Sequence, residues 1–173
     1  MGERWCAGIS RLVGVVREAG EYRLVVTQPV AAGTCLFTIG GEVTGTPTRY
    51  TVQVGAGEHI DVPPDCGNDE VQDLFSWRFM NHSCEPTVEI RGRKVFSVRA
   101  IEPWQEITFD YNTTEYEMVE PFACRCGAPN CQEQIRGFRF LPAAERERLR
   151  PRLAGHLLSV LDSELDDRHV VGH

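Results

Sequence analysis

The sequence predicts a mainly β fold with short helices and a helical segment at its C-terminal end. Three observations carry that expectation. Short runs rich in β-branched and aromatic residues recur between Tyr22 and Tyr111, separated by Gly- and Pro-bearing turns. Apolar residues at three- and four-residue spacing set in after Leu141. Sixteen Gly and ten Pro in 173 residues impose many turns and argue against a bundle of long helices. A chain of this length supports one ordinary domain around one main core.

Residues 1–20 carry little pattern and read as a lead-in. Two β-rich pieces follow, Leu24 to Thr27 and Cys35 to Ile39, separated by Gln28-Pro29-Val30-Ala31-Ala32-Gly33. Tyr50 to Val54 alternates as YTVQV and Glu58 to Val62 follows a Gly-rich turn, so both read as strands. The stretch from Pro63 to Asp69 is the first substantial break, and Asp73 to Met80 reads as a short helix or turn. Thr87 to Ile90 and Val95 to Val98 bracket Arg91-Gly92-Arg93-Lys94 as a hairpin, and Ile107 to Tyr111 is a further strand. Beyond Leu141, Leu149, Leu153, Leu157, Val160 and Leu161 form one helical stripe, with Pro142 near its start and Pro151 as an interruption. The stripe suits packing on the parent domain; dimerisation or a partner is its other use. Asp162, Glu164, Asp166 and Asp167 read as a solvated acidic cap.

Composition excludes several classes. At 42% hydrophobic and 25% charged residues, the chain is not that of a disordered, collagenous or membrane-spanning protein. A formal charge of −7, from 25 acidic against 18 basic residues, disfavours broad attraction to nucleic-acid phosphates and favours a basic peptide. Direct nucleic-acid binding is therefore not expected. There is neither a secretory signal pattern nor an apolar run of about 18 residues, so the expected location is intracellular, in cytoplasm or nucleus, with no membrane partner.

Three of the seven Cys crowd into Cys124-Arg125-Cys126-Gly127-Ala128-Pro129-Asn130-Cys131. A turn directs Cys124 and Cys126 to a common ion, and Cys131 returns across Gly127 and Pro129. A closed structural zinc site needs four ligands. Cys84, in the polar run Asn81-His82-Ser83-Cys84-Glu85-Pro86, is the best fourth candidate, and without a secretory signal zinc is preferred to disulfides. Cys6, Cys35 and Cys66 lack clustered spacing and read as a terminal thiol, a buried small residue and a loop residue.

His82 in isolation suits a metal ligand or a general base, but no HExxH arrangement accompanies it and Cys84 is the softer partner for distant thiolates. Asn81-His82 fits a structural loop and a cofactor site equally well. In an extended Glu106-Ile107-Thr108-Phe109-Asp110-Tyr111-Asn112, Phe109 and Tyr111 share one side and Asp110 faces the other. They read either as core aromatics beside a turn-forming Asp-Tyr-Asn or as the wall of an aromatic channel.

Taken in order, Arg78-Phe79-Met80-Asn81-His82-Ser83-Cys84-Glu85-Pro86, Glu106 to Asn112 and Cys124-x-Cys126-x4-Cys131 resemble the signature series of SET-domain protein lysine methyltransferases with a post-SET zinc segment. The likeness runs from about Tyr22 to Leu141. It implies small curved β sheets around a knot-like crossing, with Asn81-His82-Ser83-Cys84 threaded beside the strand ending at Tyr111. It divides the chain into a lead-in (1–20), a SET domain (21–119), a post-SET segment (120–140) and a helical extension and tail (141–173).

By the same resemblance, Cys84, Cys124, Cys126 and Cys131 share one zinc ion, and Asn81 and His82 contact S-adenosylmethionine. Tyr111 lines the methyl-transfer channel and also borders the cofactor. Phe109 matches a position where Phe permits products beyond monomethyl-lysine. Tyr50 is either a second channel aromatic or a strand-core residue. The implied acceptor is a lysine in a basic peptide or protein such as a histone-like tail. A small-amine acceptor and a noncatalytic SET-like module are the alternatives.

Departures are also visible. A Gly-x-Gly common in the family is replaced by Glu21-Tyr22-Arg23, so Tyr22 and Arg23 are expected to form an atypical edge of the cofactor pocket. Thr87 replaces a frequent asparagine, Trp104-Gln105-Glu106 stands in place of Gly-Glu-Glu, and the region between Gly45 and Asp73 is short.

Overall fold

Val13–Glu18 (β1) and Glu21–Val26 (β2) open the computed structural model as an antiparallel hairpin within the described residues, 11–170. Cys6 and the first half of the predicted lead-in lie outside those residues, as does the end of the tail. The hairpin turns at Ala19 and Gly20, both at positive φ. β1 was not foreseen: its Val-Gly-Val-Val-Arg-Glu run is a weak strand pattern, and pairing with β2 decides its conformation.

Cys35–Thr38 (β3) pairs with Lys94–Ser97 (β9), which pairs in turn with Val88–Arg91 (β8), while Glu42–Thr44 (β4), Val52–Gly55 (β5) and Glu58–Asp61 (β6) form another sheet, of order β4-β6-β5. β8 and β9 are the expected hairpin. β5 starts two residues later than the alternation predicts, leaving Tyr50 in a turn and 47% exposed; it is not a strand-core residue. Asn68–Leu74 (α1) begins before the predicted helix, since Gly67 and Glu70 close a capping interaction, and Ser76–Phe79 continues as a 3-10 turn.

Asn81–His82 (β7) runs parallel to Thr108–Phe109 (β10), with Asn81 opposite Thr108 and His82 opposite Phe109. Parallel neighbours cannot be joined by a tight turn, so the whole β8–β9 hairpin lies in the connection. The N–H of Ile107 donates to the Leu24 carbonyl at 2.7 Å, bringing β2 beside β10. Thr87, nearly fully buried, accepts the Thr108 N–H at 2.9 Å and donates to the Glu106 carbonyl at 3.1 Å. That departure from the family pattern thus holds β10 in place. Leu24, Val26, Trp77, Met80, Val88, Ile107 and Phe109 belong to the core under these elements.

Phe122–Ala123 (β11) pairs with Gln134–Ile135 (β12), so the segment holding three of the cysteines folds back on itself. Gly137, at φ 105, then sits against the backbone of Tyr116 and Glu117, where a Cβ would come within 2.7 Å of the Glu117 Cα. Ala143–Leu149 (α2) and Gly155–Val170 (α3) flank a 3-10 turn over Arg150–Arg152, as Pro142 and Pro151 predict. Phe138, Leu141, Leu149, Leu153, Leu157 and Leu161 make a second small core. The stripe offered for dimerisation is therefore buried within this chain. Asp162 and Glu164 pair with Arg150 and Arg146 at 2.7 and 2.5 Å, so these two caps are ion-paired as well as solvated.

Candidate active site and metal centre

The end of β10 is locked by Asp110, whose Oδ1 accepts the backbone N–H and the side-chain amide of Asn112, each at 3.0 Å. This fixes the following 3-10 turn, Tyr111–Thr113. The Tyr111 hydroxyl donates to the Met80 carbonyl at 2.9 Å, and its ring stands 4.7 Å from that of Phe109. The two rings meet as an extended strand predicts, although Tyr111 already belongs to the turn. Burial, with Glu115 and Glu106 nearby, pushes the Tyr111 hydroxyl well above its ordinary pKa, so it stays an O–H donor. Tyr50, Trp77, Met80, Phe109, Tyr111 and Glu115 line a narrow cavity of about 40 Å³.

On the neighbouring face, Asn81 Nδ2 donates to the Tyr22 carbonyl at 3.2 Å and to Glu106 at 2.7 Å. Its Oδ1 takes no hydrogen bond among the described residues and remains an acceptor. Glu106 also lines a polar cleft of about 320 Å³, together with Ser83, Gln105, Thr108 and Cys126 to Ala128. Polar walls, with a free amide acceptor one hydrogen bond away through Glu106, suit the charged amino group of S-adenosylmethionine. Tyr22 stacks near Phe79, with ring centroids 5.1 Å apart, and Arg23 reaches Glu18 at 3.0 Å and Glu106 at 3.9 Å. Both lie beside Asn81 and Glu106, at the edge where the glycines are missing. Trp104, in the place of another family glycine, adopts φ 69, a conformation that a glycine reaches without strain.

The His82 ring points elsewhere. Nδ1 accepts the Tyr111 N–H at 3.2 Å, which leaves the proton on Nε2, 3.3 Å from the Cys84 Sγ. Burial lowers its pKa to about 4, so Asp110 at 3.8 Å is a neighbour of a neutral ring. The side chain is 2% exposed, and only the backbone of His82 is left to meet a cofactor.

The Sγ atoms of Cys84, Cys124, Cys126 and Cys131 all lie within 4.8 Å of one another. Sulfurs bonded at about 2.3 Å to one tetrahedral zinc ion stand roughly 3.8 Å apart, so the cluster has the right size and donor set. Burial pushes the Cys84 thiol far up and Cys124 up to about 11. At Cys126 burial pushes upward too, but the N–H groups of Ala128 and Cys84 and the adjacent thiols outweigh it and lower the pKa to about 7. A divalent ion removes the cost of closely packed thiolates. The N–H groups of Gln132 and Glu133 each approach a sulfur, of Cys84 and Cys131, at 3.4 Å, as outer-shell donors to metal thiolates do. Four protein ligands leave no open position, so zinc here is structural. Asn130 donates to the Cys84 carbonyl at 3.1 Å and Gln132 to Glu145 at 2.9 Å, tying the metal segment to β7 and α2.

Two wall residues, Met80 and Glu115, and one ring packed behind the wall, Phe122, escaped the sequence reading. Phe122 sits 5.7 Å from the His82 ring and 6.0 Å from that of Tyr111; its position two residues before the first clustered cysteine was the available signal. Met80 enters through its backbone carbonyl, which side-chain identity does not reveal. Glu115 lay among acids with no motif to mark it.

Residues 21–112 match the SET domain family. Methyltransferase flvH of Aspergillus flavus is 32% identical over 138 residues, 75% of this chain and 71% of that protein. Histone-lysine N-methyltransferase ash1 of Drosophila melanogaster is 38% identical over 146 residues, which span 68% of this chain but 6% of the relative. The crystal structure of KRYPTONITE in complex with mCHH DNA, an H3(1-15) peptide and SAH matches with a TM-score of 0.53 and 26% identity, over 70% of this chain and 29% of that one. Among the described residues, no helix is long and apolar enough to cross a membrane.

Proposed function

The chain belongs to the SET-domain family, and from that premise we propose that it is an S-adenosylmethionine-dependent protein lysine N-methyltransferase that carries its acceptor beyond the monomethyl stage. The observation that carries this reading is the junction at β7 and β10. There Asn81, its Oδ1 free, is hydrogen-bonded to Glu106 in the wall of a polar cleft, and Tyr111 and Phe109 border a narrow cavity lined in part by aromatic residues. A methyl donor in one and a lysine side chain in the other would meet near Met80, whose carbonyl holds the tyrosine. The methyl sulfonium supplies an electrophilic carbon when bound.

In this reading Asn81 Oδ1 and the backbone of His82 hold the cofactor, and Tyr22 and Arg23 form its edge. Tyr111 orients the amine, and the narrow aromatic wall excludes water so that alignment carries much of the rate. Phe109 presents no hydroxyl that would retain a water in the space a methylated amine needs. The metal segment, within residues 120–140, closes over the cleft through Cys126 to Ala128, between a SET domain at 21–119 and an extension at 141–173.

Relatives named as histone-lysine methyltransferases and a neighbour bound to an H3 peptide support a basic, histone-like acceptor. The net charge of −7 agrees. Four reduced thiols on one metal suit a reducing compartment, cytoplasm or nucleus. The test is calorimetric titration of zinc-loaded protein with S-adenosylmethionine, followed by mass spectrometry of an array of lysine peptides and free amines. Di- or trimethyl-lysine in a basic peptide is expected. Transfer to free amines alone would assign a small-molecule acceptor, and no cofactor binding at millimolar concentration would leave a noncatalytic module.

A further inference from the structure

The cavity beside Tyr111 has three charged residues in its wall, Arg49, Arg78 and Glu115. Both cations are already answered. Arg49 pairs with Glu120 at 3.4 Å and Arg78 with Asp61 at 3.4 Å, and both guanidinium groups lie over the Tyr50 ring. Glu115 has no cationic partner among the described residues. Its Oε1 accepts the Gln53 N–H at 2.8 Å and the Thr114 hydroxyl at 3.2 Å, whereas Oε2 takes no hydrogen bond there. Yet the residue is only 8% exposed. An unpaired buried carboxylate is costly unless a cation reaches it, and the arrangement leaves one oxygen anchored and the other free.

Resting on the lysine methyltransferase reading, we propose that Glu115 receives the substrate's lysine ammonium in this cavity and takes up its proton, so that a neutral amine stands beside Tyr111. The lysine Nζ–H bond breaks with its electron pair left on nitrogen, and the proton passes to Glu115 Oε2. The neutral Nζ then bonds to the methyl carbon of S-adenosylmethionine as the carbon–sulfur bond breaks. The electron pair of that bond leaves on sulfur, giving a methylammonium and a neutral thioether. Glu115 returns its proton to solvent when product leaves.

The chemistry of the surroundings agrees. Burial raises the Glu115 pKa to about 7, against the backbone and hydroxyl donors that lower it, so the carboxyl exchanges a proton near neutral pH. The groups on adjoining elements do not compete. Tyr111 on the same segment is held protonated, and burial keeps His59 on β6 and His156 on α3 below the usual imidazole value. Arg49 before β5 and Arg78 in the 3-10 turn stay in their ion pairs, and Glu106 is bonded to Asn81.

The test uses zinc-loaded full chain and n-butylammonium, a lysine side-chain mimic, with 1-butanol as the neutral control. Carbon-detected NMR follows the Glu115 carboxyl through a pH titration. Butylammonium is expected to lower its midpoint by about one pH unit while butanol leaves it in place; equal behaviour with both would overturn the proposal. A second arm uses Glu115→Gln, which keeps an oxygen for Gln53 and Thr114 and removes the charge. With a peptide that the parent protein methylates, its kcat/KM at pH 7 is expected to fall at least tenfold and the acid limb of the pH profile to disappear. A parent-like rate and profile would remove Glu115 from the reaction and leave the methyltransferase reading standing. If cofactor binds but no lysine peptide is methylated, that reading fails, and the NMR arm decides the cation site on its own.

Discussion

Tyr111 and Met80 share a hydrogen bond that no side-chain pattern predicts: a phenol donating to a backbone carbonyl one residue before Asn81. Tyr111→Phe keeps the ring contacts and deletes that bond. Single-turnover kinetics should record a chemical step slower by on the order of 100-fold, with cofactor affinity by calorimetry unchanged. Phe109→Tyr adds a hydroxyl to the wall, and mass spectrometry at matched total turnover should find products shifted toward monomethyl-lysine. Glu115 carries a stability consequence as well. Its raised pKa means that the folded chain prefers the neutral carboxyl: that contribution is full below 4.5, declines as pH climbs to about 7, and is lost above it. Glu115→Gln is neutral throughout. Thermal melts of unliganded protein should find it more stable than the parent at pH 8, by on the order of 2 kcal/mol, and no different at pH 4. A site residue that costs stability while idle is a familiar trade of stability against function.

At the level of elements, the channel wall depends on packing between segments distant in sequence. Phe138 donates its N–H to the Glu115 carbonyl at 2.9 Å, and Arg139 to that of Tyr116 at 3.0 Å. Gly137 permits this approach, because at φ 105 any side chain would strike the Tyr116 and Glu117 backbone. Gly137→Ala should lower stability by about 2 kcal/mol or more in denaturant titration and weaken turnover with it, since the displaced segment carries Glu115. The β8–β9 hairpin was legible because apolar alternation and an Arg-Gly-Arg-Lys turn are local signals. β1 and β4 were not: β1 is a weak pattern and β4 a three-residue one, and the conformation of each is decided by its partner strand.

Over the whole molecule, the metal centre joins one buried cysteine, two residues past β7, to three on a returning segment, while the main core includes none of the clustered three. Chelation of zinc should therefore act unevenly. Hydrogen exchange is expected to rise across β11 and β12 and to stay unchanged in β8 and β9, with cofactor affinity falling as the cleft loses its Cys126 to Ala128 wall.

The sequence by itself determined the family, the four thiols and the aromatic pair at Phe109 and Tyr111. These are covalent spacings and short-range periodicities, which survive in one dimension. Only the tertiary structure decided that the His82 ring serves Cys84 and the Tyr111 backbone, that Tyr50 lies in a turn against the cavity, and that the C-terminal leucines close a core of their own. It alone brought Glu115 to that wall with its charge unanswered, because the ion pairs that neutralise Arg49 and Arg78 come from elements far apart along the chain.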